Sequence, residues 1–233
     1  MPRHARLELT GVPLHVIQRG INRCASFIDD DDRRHYLRLL DRHAKRRELH
    51  IHAYVLMSNH AHLLVSSRHA GAASHVMHRV GLSYVASFNR RHRRTGALWE
   101  GRFKSCLVAC NQYLLTVYRY IELNPVRAAM TEKPEQYAWS SACANLGLHA
   151  DALLTPHASF LALASNPGGY RQWLDACIDE AELANIRLHI KQERALGDPR
   201  FQAMVEKALG RSVAIRSPGR LRKAPLSMRD EGN

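Results

Sequence analysis

The chain contains no Cys-x-x-Cys, and its five cysteines, Cys24, Cys106, Cys110, Cys143 and Cys177, are an odd number. That argues against a disulfide framework and a zinc knuckle and leaves reduced thiols as the expectation. No apolar run approaches the ~20 residues that span a bilayer. The basic start, Met1-Pro2-Arg3-His4-Ala5-Arg6, has no apolar stretch behind it, so no signal peptide is expected. A cytoplasmic, nucleoid-associated protein with no membrane partner follows as the expected setting. Phenylalanine is scarce and no Gly-Phe-Gly-Phe-like run occurs, so the aromatic motif that RNA-binding sheets use for stacking is missing. There are no internal repeats.

Acidic residues are also in short supply. Against 34 Lys+Arg stand 21 Asp+Glu, a net charge of +13 over 233 residues. Such an excess suits an anionic polymer, above all nucleic acid, and arginine, the commoner base here, grips phosphate through a planar fork of donors. A basic surface of ribosomal or nucleoid type, with no catalytic purpose, would carry the same charge. The 45% hydrophobic content is enough for a genuine core.

Periodicity gives the coarse order β-α-β-β-α-β-α, then helices. Residues 13–20 alternate like a strand ending on Gly20. Asp29 to Asp32 supply a cap and negative charge for a helix over 33–47. Two strand-like runs, 51–56 and 63–67, flank a turn at Met57-Ser58-Asn59. A second helix begins at Ser74 and ends in the arginine run 89–94, which reads either as a dipole-favoured C-terminus or as a phosphate grip. A strand over 106–109 precedes an apolar helix over 112–123, capped by Asn111 and stopped by Pro125. Residues 142–169 are poorly patterned, and helices are expected over 170–175, 179–191 and 199–209. The fold class is therefore α+β, a ferredoxin-like sandwich with an antiparallel sheet and helices on one face, followed by a C-terminal helical appendage. The expected division is a catalytic domain over 1–145, the appendage over 146–210, and a basic, disordered tail over 211–233.

Three motifs carry chemistry. His60 and His62 are two apart in a strand, so both imidazoles leave one face of a rigid sheet, an arrangement that holds one metal ion. With 15 histidines in the chain, such a pair also arises by chance. In the loop Trp99-Glu100-Gly101-Arg102-Phe103-Lys104, aromatic and basic groups interleave, either to stack a base and grip its phosphate or to pack an edge strand. Tyr120 and Asn124 are four apart and share a helix face. Tyr118 faces elsewhere, and Tyr113 could share that face. Glu122 is either a surface or structural group, with a metal or base role open.

Together the His-x-His strand, the Trp-Glu-Gly-Arg-Phe-Lys-Ser loop and the helix with Tyr-Ile-Glu-Leu-Asn-Pro-Val-Arg-Ala resemble the REP-associated tyrosine transposases. These are a domesticated branch of the single-strand DNA transposases and relatives of the HUH nucleases. The similarity extends over about residues 10 to 145, including Val16 to Arg23. It implies that Tyr120 is the nucleophile, that His60 and His62 hold a divalent ion, Mg²⁺ or Mn²⁺, and that Asn124 is the third ligand or orients a bound water. It implies single-stranded hairpin DNA from palindromic repeats as substrate, cut through a 5′-phosphotyrosine with a free 3′-hydroxyl. Arg19, Asn22, Arg23, Arg102, Lys104 and Arg127 are the expected DNA contacts. Both a monomer and a homodimer are compatible with it. The alternative is a non-catalytic DNA-binding regulator on the same fold.

Overall fold

The computed structural model describes residues 6–110, 112–176 and 178–216. Strands β1 (Leu14–Arg19), β2 (Leu49–Leu56), β3 (His60–Ser67), β4 (Lys104–Val108) and β5 (Ala195–Leu196) form one sheet in the order β2-β3-β1-β4-β5. The first four pair antiparallel, as expected, while β5 lies parallel to β4. Two residues are too few to leave an alternation in the sequence, so this edge strand could not be foreseen.

Helices cover both faces of the sheet, not one. On one face α1 (Asp30–Lys45) and α2 (Ala72–Arg91) close over Leu14, Val16, Leu63 and Val65. On the other, α3 (Gln112–Glu122), α6 (Ala158–Ala164), α7 (Gly169–Asp175) and α8 (Glu180–Gln192) close over Val55, Leu64, Cys106 and Val108. Strand alternation sorts the residues between the two cores. In β2 the register shifts between Ile51 and Ala53, so Ile51 and Tyr54 serve the first core while Ala53 and Val55 serve the second. The C-terminal helices thus share a core with the sheet.

Local chemistry explains most boundaries. Asp29 caps α1 by accepting from the Asp32 amide at 3.1 Å. Arg91 donates to Asp29 Oδ1 at 2.6 Å and Asp32 Oδ1 at 2.7 Å, which clamps α2 to the start of α1. Within the run 89–94, Arg91 is therefore committed to an internal pair and is not a phosphate grip. After Glu122 the chain does not stop at Asn124: α4 (Asn124–Arg127) follows at once, with Pro125 in its first turn, where its missing N–H costs nothing. The stretch 142–169 contains α5 (Ala142–Asn145) and α6, both short. The last helix, α9 (Pro199–Leu209), has Asp198 as its cap. Of the expected tail, residues 211–216 lie against α9 and β5, with Val213 buried and its carbonyl accepting from the Ala195 amide at 3.1 Å. Residues 217–233 and the Asn111 cap lie outside the described residues. No helix among the described residues is long and apolar enough to cross a membrane.

Candidate active site

Strand alternation puts His15, Ile17 and Arg19 of β1 on the same face as His60, His62 and Leu64 of β3. Registers fix the neighbours: Ile17 lies opposite His62, Arg19 opposite His60, and Lys104 of β4 opposite Ile17. Helix α3 crosses this face and brings Tyr120 onto it. The Tyr120 ring stands edge-on to His62 and to His15, each at 5.6 Å between centroids, and His60 and His62 are 5.0 Å apart. Tyr120 is the tyrosine whose ring meets these histidines among the described residues. Tyr118 instead stacks on Phe160 in the core, 5.2 Å away.

The imidazoles are neutral, and their neighbours set their tautomers. Burial pushes His60 down to about 4, helped by the Arg19 charge. Burial also lowers His62 well below the ordinary range and His15 to about 3. His60 Nδ1 lies 2.6 Å from Asn59 Oδ1 and donates to it, because an amide oxygen only accepts. That leaves its Nε2 lone pair free. His62 Nδ1 shares a 2.8 Å hydrogen bond with His15 Nε2. If His62 donates there, its own Nε2 is also a free acceptor. In that tautomer, two neutral imidazoles with free Nε2 atoms on one sheet face fit a divalent ion that completes its shell with water and phosphate oxygen. No group of three or more His, Cys, Asp or Glu side chains able to hold a metal occurs among the described residues.

His15 escaped the sequence reading. A single histidine in an alternating strand usually packs in the core, and its only signal was its parity with Ile17 and Arg19. Asn124 opens α4 half-buried, and its side chain makes no hydrogen bond among the described residues. Glu122 is not a surface residue. It is fully buried, accepting from Ser141 Oγ, Asn145 Nδ2 and Tyr170 Oη, each at 2.6 Å. Burial raises its carboxyl pKa despite these three bonds.

A cavity of about 500 Å³ opens beside Tyr120, lined by Arg19, Arg23, Arg102 and Lys104 and, from α8, by Arg187 and Lys191. The first four are among the expected DNA contacts. Arg127 lies just behind, with its guanidinium carbon 4.6 Å from the centre of the Tyr120 ring and its Nη2 donating to the Tyr120 carbonyl. Burial lowers its pKa to about 10, so it stays charged at neutral pH. Asn22 sits at the exposed tip of the 20–24 loop with a positive φ of 51°. Trp99 and Phe103 are buried in the first core, which settles their role as packing, while Arg102 and Lys104 between and beside them are exposed.

None of the curated protein sequences matches the chain. Among solved structures, a REP-associated tyrosine transposase bound to a REP hairpin superposes with a TM-score of 0.55 at 14% identity, over 68% of this chain and 96% of that one. The two share their fold. A candidate transposase from Deinococcus radiodurans R1 aligns at 16% identity over 56% of this chain and 94% of its own, with a TM-score of 0.34. The model of the family described as IS200-like transposases matches residues 9–124, the span that holds His15, His60, His62, Tyr120 and Asn124, and the chain belongs to that family.

Proposed function

We propose that this protein is a REP-associated tyrosine transposase, a metal-dependent endonuclease and strand transferase acting on single-stranded hairpin DNA. The observation that carries the reading is the packing of Tyr120 against the His60–His62 pair, with the tyrosine itself lining a basic cavity. The neighbour of like fold holds a REP hairpin, and the family is one of transposases.

In this mechanism Tyr120 Oη attacks the scissile phosphorus. A new O–P bond forms, the bond from phosphorus to the 3′-oxygen breaks, and that oxygen leaves as a 3′-hydroxyl after taking up a proton. The phenol proton passes to solvent in the open cavity. A phenol, with an ordinary pKa near ~10, is a poor nucleophile unaided. Arg127, stacked against the ring and bonded to the Tyr120 carbonyl, fixes its orientation. Arg19 and Lys104 flank the path of the strand and balance phosphate charge. His60 and His62 would hold the divalent ion, with Asn124 as a third ligand or a water-orienting amide. When bound, that ion polarises the scissile phosphate. The 5′-phosphotyrosine conserves the bond energy, so transfer to another 3′-hydroxyl needs no nucleotide cofactor.

The test is a denaturing gel of the protein with labelled single-stranded hairpin DNA, with Mn²⁺ and with chelator. A metal-dependent covalent adduct, lost in Tyr120→Phe with DNA affinity retained, is the expected result. Tight binding without cleavage under every metal would replace this reading with that of a DNA-binding regulator.

A further inference from the structure

The cavity beside Tyr120 is not completed by the segment that the family model spans. Its far wall is α8, which presents Arg187, Ile190 and Lys191 to it. This helix lies well beyond residue 124, where the family match ends, so the transposase core alone would leave the site open on that side.

Three observations give that wall a purpose. First, α8 is anchored next to the reactive tyrosine. Arg119, the residue before Tyr120, is buried. It donates to the Trp173 and Ala176 carbonyls, each at 3.1 Å, and pairs with Glu182 of α8 at 3.4 Å. Its guanidinium also sits 4.6 Å from the Trp173 ring centre. The position of α8 relative to Tyr120 is thus held by several contacts at once.

Second, the basic side chains of this region divide by partner. Arg119 pairs with Glu182, and Arg171 with Glu135 at 3.0 Å. Arg187 and Lys191 are exposed and make no ion pair with an acidic side chain among the described residues. They are four apart, so they sit side by side on α8, where like charges oppose helix formation by a few tenths of a kcal/mol. Lys191 sits in the last turn of α8, where the helix dipole favours a cation, but Arg187 lies a turn earlier and has no such support.

Third, the anion has a place. Arg19, Arg102 and Lys104 line the opposite side of the same cavity, and Glu100 is its one acidic lining residue. The charge of Arg187 reaches as far as Arg127, the residue behind Tyr120. Low-dielectric walls carrying one sign of charge focus the field on whatever enters.

The geometry points to α8 as part of the substrate-binding site: Arg187 and Lys191 grip phosphates of the single DNA strand that passes Tyr120. The C-terminal helices then complete the active-site groove from the side opposite the sheet. This inference rests on the single-stranded DNA reading above and locates its phosphate subsite.

Salt dependence separates the two. Binding of a labelled single-stranded hairpin oligonucleotide is followed by anisotropy in chelator, where no cleavage competes, across a series of salt concentrations. Each phosphate contact to a single strand contributes about 0.7 to the slope of log K against log salt. For Arg187→Ala/Lys191→Ala, the slope should fall in magnitude by about 1.4, with affinity reduced at least tenfold at low salt. The pair Arg187→Lys/Lys191→Arg should restore both. Arg200→Ala/Lys207→Ala on α9, which removes the same charge away from the cavity, should leave the slope as in the wild type. A wild-type protein that binds with a normal slope, and an α8 double variant that matches it, would overturn the α8 subsite alone. A wild-type protein with no salt-dependent binding of single strands would remove the DNA reading itself, and this one with it.

Discussion

Glu122 provides the sharpest separation between structure and chemistry, because it lies two residues from Tyr120 and carries a carboxylate. Its three donors come from three elements: Ser141 before α5, Asn145 in α5 and Tyr170 in α7. Truncation to alanine removes the acceptor from all three. Ser141 Oγ has a second acceptor, the Tyr54 carbonyl at 3.3 Å, and Asn145 has the His52 carbonyl at 3.4 Å, whereas the Tyr170 hydroxyl is left with none. One orphaned hydroxyl, two weakened bonds and a small void together predict a loss of roughly 2–4 kcal/mol, read as a lower urea midpoint at constant slope. Glu122→Gln keeps the shape and one acceptor oxygen while removing a buried charge, so it should cost under about 1.5 kcal/mol. The pH dependence has a definite sign. Burial raises the Glu122 pKa in the folded state, so its contribution is fullest below the unfolded value and is lost as pH rises through the folded one. The stability of Glu122→Gln relative to wild type should accordingly improve as pH rises from acid. Cleavage by the folded Gln variant should stay within a few-fold of wild type. A Gln variant as stable as wild type that forms no covalent adduct would refute the structural assignment and place Glu122 in the reaction.

Other perturbations follow from the same contacts. His15→Phe keeps the volume of a buried ring but removes the partner of His62 Nδ1, so Mn²⁺ binding, followed by electron spin resonance of the free ion, should weaken about 10–100-fold; unchanged affinity would mean that His15 does not orient its neighbour. Buried His52 donates from Nδ1 to the Thr155 carbonyl at 2.6 Å and accepts from Ser66 Oγ at 2.8 Å, and burial pushes its pKa down to about 4. Its neutral form stabilises the fold above the unfolded pKa, and that stability drains as pH falls from 6.5 towards 4, by about 3 kcal/mol. His52→Gln should flatten the acid limb of the stability curve by that amount, and a limb as steep as wild type would show that other groups set it. Gly20→Ala should disturb the 20–24 loop: φ at Gly20 is −63°, open to any residue, but a Cβ would lie 2.2 Å from the Cys24 carbonyl oxygen. A stability loss of about 1–3 kcal/mol and weaker binding of single strands are expected, and an alanine variant equal to wild type in both would show that the loop yields freely.

How much of this was legible in the sequence depended on whether a feature had a local period. His60 and His62 share a face because strands alternate, and Tyr120 reaches that face because α3 is amphipathic; both facts are written in short windows. The helices over 170–175, 179–191 and 199–209 announce themselves by caps and spacing, and the structure places them within a residue or so of those bounds. His15 was not legible, since its meaning comes from a diagonal contact across two strands far apart in the chain. Nor was the burial of Glu122, whose three partners lie 19, 23 and 48 residues away. The placement of helices on both faces was hidden for the same reason. It depends on the docking of α7 and α8 against α3 through Arg119, a long-range pairing that no periodicity encodes.

That docking links fold to chemistry. A ferredoxin-like sheet exposes the His-bearing face unless something covers it, and α3 covers only a part of that face. The rest must be closed by chain that comes later. Helices α7 and α8 supply the closure with an apolar side formed by Leu174, Leu183 and Ile186 that joins the second core. Where that apolar side ends, at Ile190, the helix meets the cavity and turns basic with Arg187 and Lys191. An appendage that only stabilised the sheet would be expected to carry acids there, to neutralise Arg19, Arg102 and Lys104 across the gap. It carries two more cations instead. Like charges left facing one another across a groove oppose folding, and their repulsion is relieved when a polyanion enters. On the proposed function, the charge pattern of α8 serves the incoming DNA strand and not the empty fold.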